Sequence, residues 1–271
     1  MSIALPKNSA KMKDWSWDNY VPFFDYLEDL DLSSSNVNEW MKYWSDLSEL
    51  IGEVGTSVYI STTVDTTDEE AKARYHKFLE EISENVSSRN QKLKIKFLES
   101  GLSPDNFEIP LRGMKSEVGL FSEKNLPLLT SDAKLSKEYD AVIGSQTVRW
   151  EGEEVTLTQL SPVMLKTDRK NREKAWKMAA KRRLEDRQSI NEIWIKILKT
   201  RMSIAKNSGY GDYRAWRWEY LKRFDYTPED CLTFHRSIEK VIVPLADKLL
   251  KNRKEALGLE KLKPWDLSVD I

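Results

Sequence analysis

One cysteine, Cys231, and two histidines, His76 and His235, are all this 271-residue chain holds of the two residue types most used to bind transition metals. A lone cysteine excludes an intrachain disulfide and a thiolate-based zinc site, and it fits a reducing compartment. Neither histidine is followed by glutamate; Lys77 and Arg236 stand there instead. Glycine and proline are scarce, at 10 and 9 residues, which excludes a collagen-like or linker-dominated chain. Charge of one sign is missing as well. Forty-three basic against 44 acidic side chains leave a formal net charge of −1, so bulk electrostatics favour neither nucleic acid nor anionic membrane. No apolar run approaches the ~20 residues that span a bilayer. Residues 1–20 hold Lys7, Lys11 and Lys13 without a continuous apolar core, so they do not read as a signal peptide. The expected compartment is the cytoplasm. Phosphate-cradling loops of the Gly-x-Gly-x-x-Gly or Gly-x-x-x-x-Gly-Lys-Ser/Thr type are absent, as is Gly-x-Ser-x-Gly.

What the chain does have is helical periodicity. Charged residues make up 32% and apolar residues 40%, enough for a sizeable core under a well-solvated surface. After an arm over residues 1–34, extended at its start, Val37, Trp40, Met41, Trp44, Leu47, Leu50 and Ile51 recur at spacings of three and four. That face continues through Val54, Val58 and Thr62, with Ser34 or Ser35 as its cap and Gly52 and Gly55 weakening it. Thr67-Asp68-Glu69-Glu70 reads as a capping box, and a further helix over about 89–99 stops at Gly101 with Pro104 beyond. Residues 101–145 are the least periodic, broken by Pro104, Pro110 and Pro127 into short helical pieces. A hairpin near 146–158 turns at Glu151-Gly152-Glu153. One long helix then runs from Thr167-Asp168 to Asn207-Ser208-Gly209. A shorter one carries Tyr213, Trp216, Trp218 and Leu221. A last one starts at Thr227-Pro228-Glu229-Asp230 and is kinked at Pro244. Leu267, Val269 and Ile271 alternate with Ser268 and Asp270 as the start of a strand without a partner, which reads as a cut through a domain.

Chemistry-bearing clusters are few. His76 and Glu80 lie four apart on one expected helix, but spacing offers no third ligand, so a solvated histidine beside a carboxylate is the favoured reading over a metal site. His235 is read the same way. Residues 166–187 carry ten basic side chains and a net charge of about +6, which suits either a nucleic-acid contact or, favoured here, the solvated side of an amphipathic helix. Trp216, Trp218 and Tyr220, interleaved with Arg214, Arg217, Lys222 and Arg223, suit stacking on a base or a peptide, with core packing favoured. Cys231 has only His235 one turn away and reads as a structural thiol.

Ordered segments add a resemblance. Tyr59-Ile60 with Asp65-Thr66-Thr67-Asp68-Glu69-Glu70-Ala71, then Leu157-Thr158, Thr167-Asp168-Arg169 and Arg172-Glu173-Lys174-Ala175, are followed by a stronger series. That series is Asn207-Ser208-Gly209-Tyr210-Gly211-Asp212-Tyr213, Asp225-Tyr226-Thr227-Pro228-Glu229, Val243-Pro244 and Pro264-Trp265-Asp266-Leu267. In that order they resemble the oligoendopeptidase F branch of the M3 zinc metallopeptidases. The resemblance implies a mainly α fold: a long-helix N-terminal domain over 35–190 that includes the hairpin, then the incomplete start of an α-helical metallopeptidase catalytic domain over 191–271. It also implies short peptide substrates, a channel walled partly by these helices, and a zinc ion held by His-Glu-x-x-His and a later glutamate. No position of this chain matches those ligands, so no catalytic, metal or substrate-binding residue is carried over. A separately supplied catalytic half is the partner it suggests. The alternatives are an inactive helical scaffold or half of a split enzyme and, as the least favoured, a nucleic-acid binder through 166–187.

Overall fold

A computed structural model describes residues 3–269. In chain order the helices are α1 (Trp17–Asp29), α2 (Val37–Val64), α3 (Glu69–Lys77), α4 (Glu84–Glu99), α5 (Glu108–Leu120), α6 (Leu126–Gly144), α7 (Leu157–Leu160), α8 (Arg169–Glu185), α9 (Arg187–Asn207), α10 (Tyr213–Tyr220) and α11 (Pro228–Ala256). Strands β1 (Thr147–Trp150) and β2 (Glu153–Thr156) precede α7. The mainly helical fold with one hairpin is the architecture read from the sequence. Two compact units divide the chain: residues 1–140 with 194–222, and residues 141–193 with 223–271, with boundaries inside α6 and α9.

The first unit is built on aromatic residues. Tyr20, Phe23, Phe24 and Leu27 of α1 pack with Trp40, Trp44, Leu47 and Ile51 of α2 and with Leu93 and Phe97 of α4. Their polar handles are satisfied: the indole of Trp40 donates to the Leu27 carbonyl at 2.9 Å, and that of Trp44 donates to Asn90 Oδ1 at 2.7 Å. The hydroxyl of Tyr20 donates to the Met12 carbonyl at 3.1 Å, and burial pushes its pKa up to about 12. The extended start expected over residues 1–20 is therefore corrected: Ser9–Met12 form a 3-10 turn and α1 begins at Trp17, because this stretch has aromatic side chains to bury. The caps shift too. Asn36, rather than Ser34 or Ser35, stands at the start of α2. In the second expected cap, Asp68 takes the position given to Thr67. Its carboxylate accepts from the Ala71 amide at 2.9 Å, while Thr67 is held by Asp65.

Between α3 and α4 the run widens into a π-helical turn, Phe78–Ser83. This turn explains one glycine. A β-carbon at Gly55 would sit 2.9 Å from the Phe78 ring, whereas one at Gly52 meets nothing within 4 Å. Gly55→Ala is thus expected to destabilise by about 1–3 kcal/mol through overpacking. Gly52→Ala is expected to stabilise by about 1 kcal/mol through helix propensity. Urea unfolding of both variants checks the contrast; equal shifts would remove the packing argument. Residues 101–145 are more regular than their composition suggests. Pro110 and Pro127 fall in the first turns of α5 and α6, where a missing amide costs nothing, so they start helices instead of breaking them.

In the second unit the hairpin pairs Thr147 with Thr156 and Trp150 with Glu153. Glu151 and Gly152 both take positive φ, 53° and 95°, as a tight two-residue turn requires. A capping box between Thr156 and Gln159 starts α7, and Leu160, Val163 and Ala175 form a small core against Val148, Trp150 and Val155. The single long helix expected from Asp168 to Asn207 is two helices, interrupted at Asp186. The Asp186 carboxylate accepts from Gln146 at 2.9 Å and from Arg182 at 2.6 Å. The start of α11 follows the sequence: Thr227 caps Asp230 and Pro228 occupies the first helical position. The helix runs on through Pro244. Residues 264–266 form a 3-10 turn, and no strand follows among the described residues; Ile271 lies outside them.

Candidate functional site

No group of three or more His, Cys, Asp or Glu side chains is placed to hold a metal ion among the described residues. The candidates are separately engaged. Glu80 pairs with Lys134, whose hydrogen bond holds its carboxyl below the usual range. His76 stands on α3, while His235 and the half-buried Cys231 stand on α11. Zinc is therefore not accommodated by the described side chains. The segments with the strongest sequence resemblance form two buried polar clusters and one long exposed helix.

The first cluster centres on Asp266, 0% exposed. Arg169 grips its carboxylate with two hydrogen bonds of 2.9 Å, and Arg172 adds a third at 3.2 Å. The Lys263 amide supplies another at 2.9 Å. Arg172, 1% exposed, also donates to the carbonyls of Trp265, Lys166 and Thr167 at 2.8–2.9 Å. Hydrogen bonding from Arg169, with the other donors, outweighs burial and lowers the Asp266 pKa. The arrangement pins the Pro264–Asp266 turn to the start of α8. It explains why Thr-Asp-Arg, Arg-Glu-Lys-Ala and Pro-Trp-Asp occur together across ~100 residues of sequence, a coupling that spacing alone does not show.

The second cluster lies in the first unit and joins Asn125 to the end of α9. Asn125 donates to the Ile204 carbonyl at 3.1 Å and to Ser208 Oγ at 2.8 Å, and accepts from Asn207 at 2.9 Å. Ser208 Oγ donates to the Leu120 carbonyl at 2.9 Å and accepts from the Trp216 indole at 3.1 Å. Its one donor and both acceptor positions are used. Trp216 is buried and stacks between Tyr213 and Tyr220, with centroids 5.4 and 5.0 Å away. Tyr220 is half exposed and the Arg217 guanidinium lies 4.6 Å from its ring centre. Of the aromatic cluster flagged in sequence, Trp216 is core, Trp218 is half-buried and Tyr220 is exposed, and Trp216 is anchored by a serine, itself bonded to an asparagine, whose roles no local pattern announces.

Half of the basic stretch is engaged in contacts within the chain. Of its ten cations, Arg169 and Arg172 hold Asp266, Lys177 pairs with Glu173, Arg182 pairs with Asp186, and Lys174 lies 5.0 Å from the Trp150 ring centre. Helix α11 behaves differently from every other long helix: none of its 29 residues is buried.

Residues 163–269 match the model of peptidase family M3. The fold is M3-peptidase-like. PZ peptidase A is similar over 98% of this chain and 47% of its own, at 25% identity and a TM-score of 0.84. A Bacillus anthracis protein assigned as an oligoendopeptidase F is similar over 99% of this chain and 49% of its own, at 22% identity and a TM-score of 0.81. The oligoendopeptidase-F of Enterococcus faecium follows at 17% identity and a TM-score of 0.70, over 96% of this chain and 56% of its own. No curated protein matches the chain in sequence. The M3-like chain spans about half the length of the first two of these structures. Both polar clusters hold residues of the matched stretch: Arg169, Arg172 and Asp266 in one, Ser208 and Trp216 in the other. No helix among the described residues is long and apolar enough to cross a membrane.

Proposed function

We propose that this chain supplies the N-terminal part of a cytoplasmic M3-type zinc metalloendopeptidase that hydrolyses short peptides, with the zinc-binding residues on a further half of the fold. Residues 191–271 are read as the beginning of the catalytic domain. The observation that carries the reading is the pairing of the family match over 163–269 with a likeness that covers nearly all of this chain and about half of each of two solved relatives. Peptide hydrolysis at neutral pH needs an activated water and a general base. The zinc and its His-Glu-x-x-His glutamate supply these in M3 enzymes. The part of this chain is then scaffold: buried clusters that fix helix ends and leave the reacting groups to the other half.

A quenched fluorescent octapeptide tests the reading. Purified chain in zinc buffer is expected to hydrolyse it no faster than buffer alone. Hydrolysis is expected on mixing with a His-Glu-x-x-His-bearing M3 half, and loss of it with 1,10-phenanthroline. Hydrolysis by this chain alone would place the zinc ligands within it and overturn the proposal. A second reading, a non-catalytic helical scaffold, draws on the lack of a metal-holding group among the described residues. It predicts association with such a half without turnover.

A further inference from the structure

The π-helical turn between α3 and α4 closes one side of a cleft of about 180 Å³ that the peptidase reading does not use. Its walls all come from residues 12–82 of the first unit, outside the stretch matched to peptidase family M3. The floor is carbon. Met12, Tyr20, Val54 and Ile82 reach it from four different elements, and each is at most 3% exposed. This chain's own packing therefore completes the floor. The Tyr20 hydroxyl already donates to the Met12 carbonyl. Phe78, the first residue of the π turn, lines the cleft with its ring drawn in over Gly55, which has no side chain to hold it off. Turns widened in this way are rare and recur at functional sites.

The rim is charged. Lys13, Arg74 and Lys77 line it with Asp14, three cations against one carboxylate, and all four are exposed. Neighbours on their own helices hold two of the cations only loosely. Arg74 reaches Glu70 at 3.6 Å and Lys77 reaches Glu81 at 3.9 Å, well beyond the length of a charge-assisted hydrogen bond, about 2.8 Å. Three residues apart on α3, Arg74 and Lys77 are neighbours on one face and can meet the two oxygens of a single carboxylate. We propose that this cleft binds a small apolar monocarboxylate, with its carboxylate at the Arg74–Lys77 rim and its hydrocarbon on the floor. An apolar wall with a few convergent polar groups is the usual form of a small-molecule site. The volume equals the share of about six waters in the liquid, which admits one ring or a short branched chain and excludes a peptide. The site goes beyond the proposed peptidase function and stands without it.

Binding is the readout, measured on the whole chain without zinc or peptide, so the outcome is separate from that of the peptidase reading. Saturation-transfer NMR titrations compare three probes. 3-Phenylpropionate is expected to bind with a Kd of about 1 mM or tighter. Acetate keeps the charge without the body, and phenethylamine keeps the body with the opposite charge. Each is expected to bind at least ~10-fold more weakly. Arg74→Glu/Lys77→Glu is expected to weaken 3-phenylpropionate on the order of 10-fold, because it turns the rim against an anion. Lys92→Glu, the same charge change at an exposed site of α4 outside the cleft, is expected to leave binding unchanged. All three positions are exposed, so the variants keep their fold, which far-UV circular dichroism verifies. No saturation by 3-phenylpropionate up to ~10 mM would overturn the proposal. So would a Kd that ignores the rim reversal, or acetate or phenethylamine binding as tightly as the apolar acid.

Discussion

Asp266→Ala is expected to destabilise the second unit by about 3–5 kcal/mol, the cost of leaving a buried guanidinium without its counter-ion. Arg172 cannot escape to solvent; it is 1% exposed and already tied to three backbone carbonyls. The alanine removes its one carboxylate partner among the described residues and strands the Lys263 amide as well. The double variant Arg172→Met/Asp266→Leu removes both charges and is expected to recover part of the loss, since an apolar pair incurs no ionic desolvation. Thermal unfolding followed by tryptophan fluorescence measures both, and a fall of roughly 10 °C is expected for the single variant. A shift within a degree of the parent would mean that the pair adds nothing to the fold.

The same carboxylate gives a pH signature. Its folded pKa lies below the ordinary 3.8, chiefly through the Arg169 hydrogen bonds, so the unfolded chain takes up its proton first on acidification. Stability from Asp266 is therefore full above about pH 5 and is lost as pH falls through 3.8 toward the depressed folded value. Parent and Asp266→Asn are expected to differ most near neutrality and to converge in acid. A gap that persists at pH 2 would assign the effect to shape instead of charge.

Periodicity made the helices legible and left the connections between them obscure. The stripe through Val37, Trp40, Trp44, Leu47 and Ile51 follows a local rule, and α2 buries those side chains. The break at Asp186 follows no local rule, because the groups that hold its carboxylate include Gln146, forty positions earlier. The same holds for Arg172 and Asp266. Each looks like surface charge in its own window, and only the tertiary fold puts them together in the core. The stripe of α11 is the reverse case. Its sequence promises burial, and the structure leaves it exposed. Two histidines and one cysteine show that these 271 residues hold no His-Glu-x-x-His motif, whereas the roles of Asn125 and Ser208 arise only from the tertiary fold.

Asn125→Ala and Ser208→Ala are each expected to cost about 2–4 kcal/mol, yet the double variant is expected to cost little more than either alone. The reasoning runs through the shared hydroxyl. Without Ser208 Oγ the buried Trp216 indole, the Leu120 carbonyl and one Asn125 amide proton lose their partner together. Each buried polar group left bare costs about 1–3 kcal/mol, offset in part by water reaching the half-buried serine position. Without Asn125 the Ile204 carbonyl keeps only its bond from the Ser208 backbone amide, the exposed Asn207 amide turns to water, and Ser208 loses one donor to its oxygen. Because both residues act on one network at the end of α9, removing the second finds most of the damage already done, a coupling of about 1–2 kcal/mol in a double-mutant cycle. Asn125→Asp keeps the shape but replaces two N–H donors with acceptors facing a carbonyl, so it is expected to cost at least as much as the alanine. Chemical denaturation of the four species decides the matter. Strict additivity would mean two independent contacts, and the Asn-Ser-Gly-Tyr segment would then owe its place in the fold to the turn at Gly209, at φ 79°, with no unit built around Trp216.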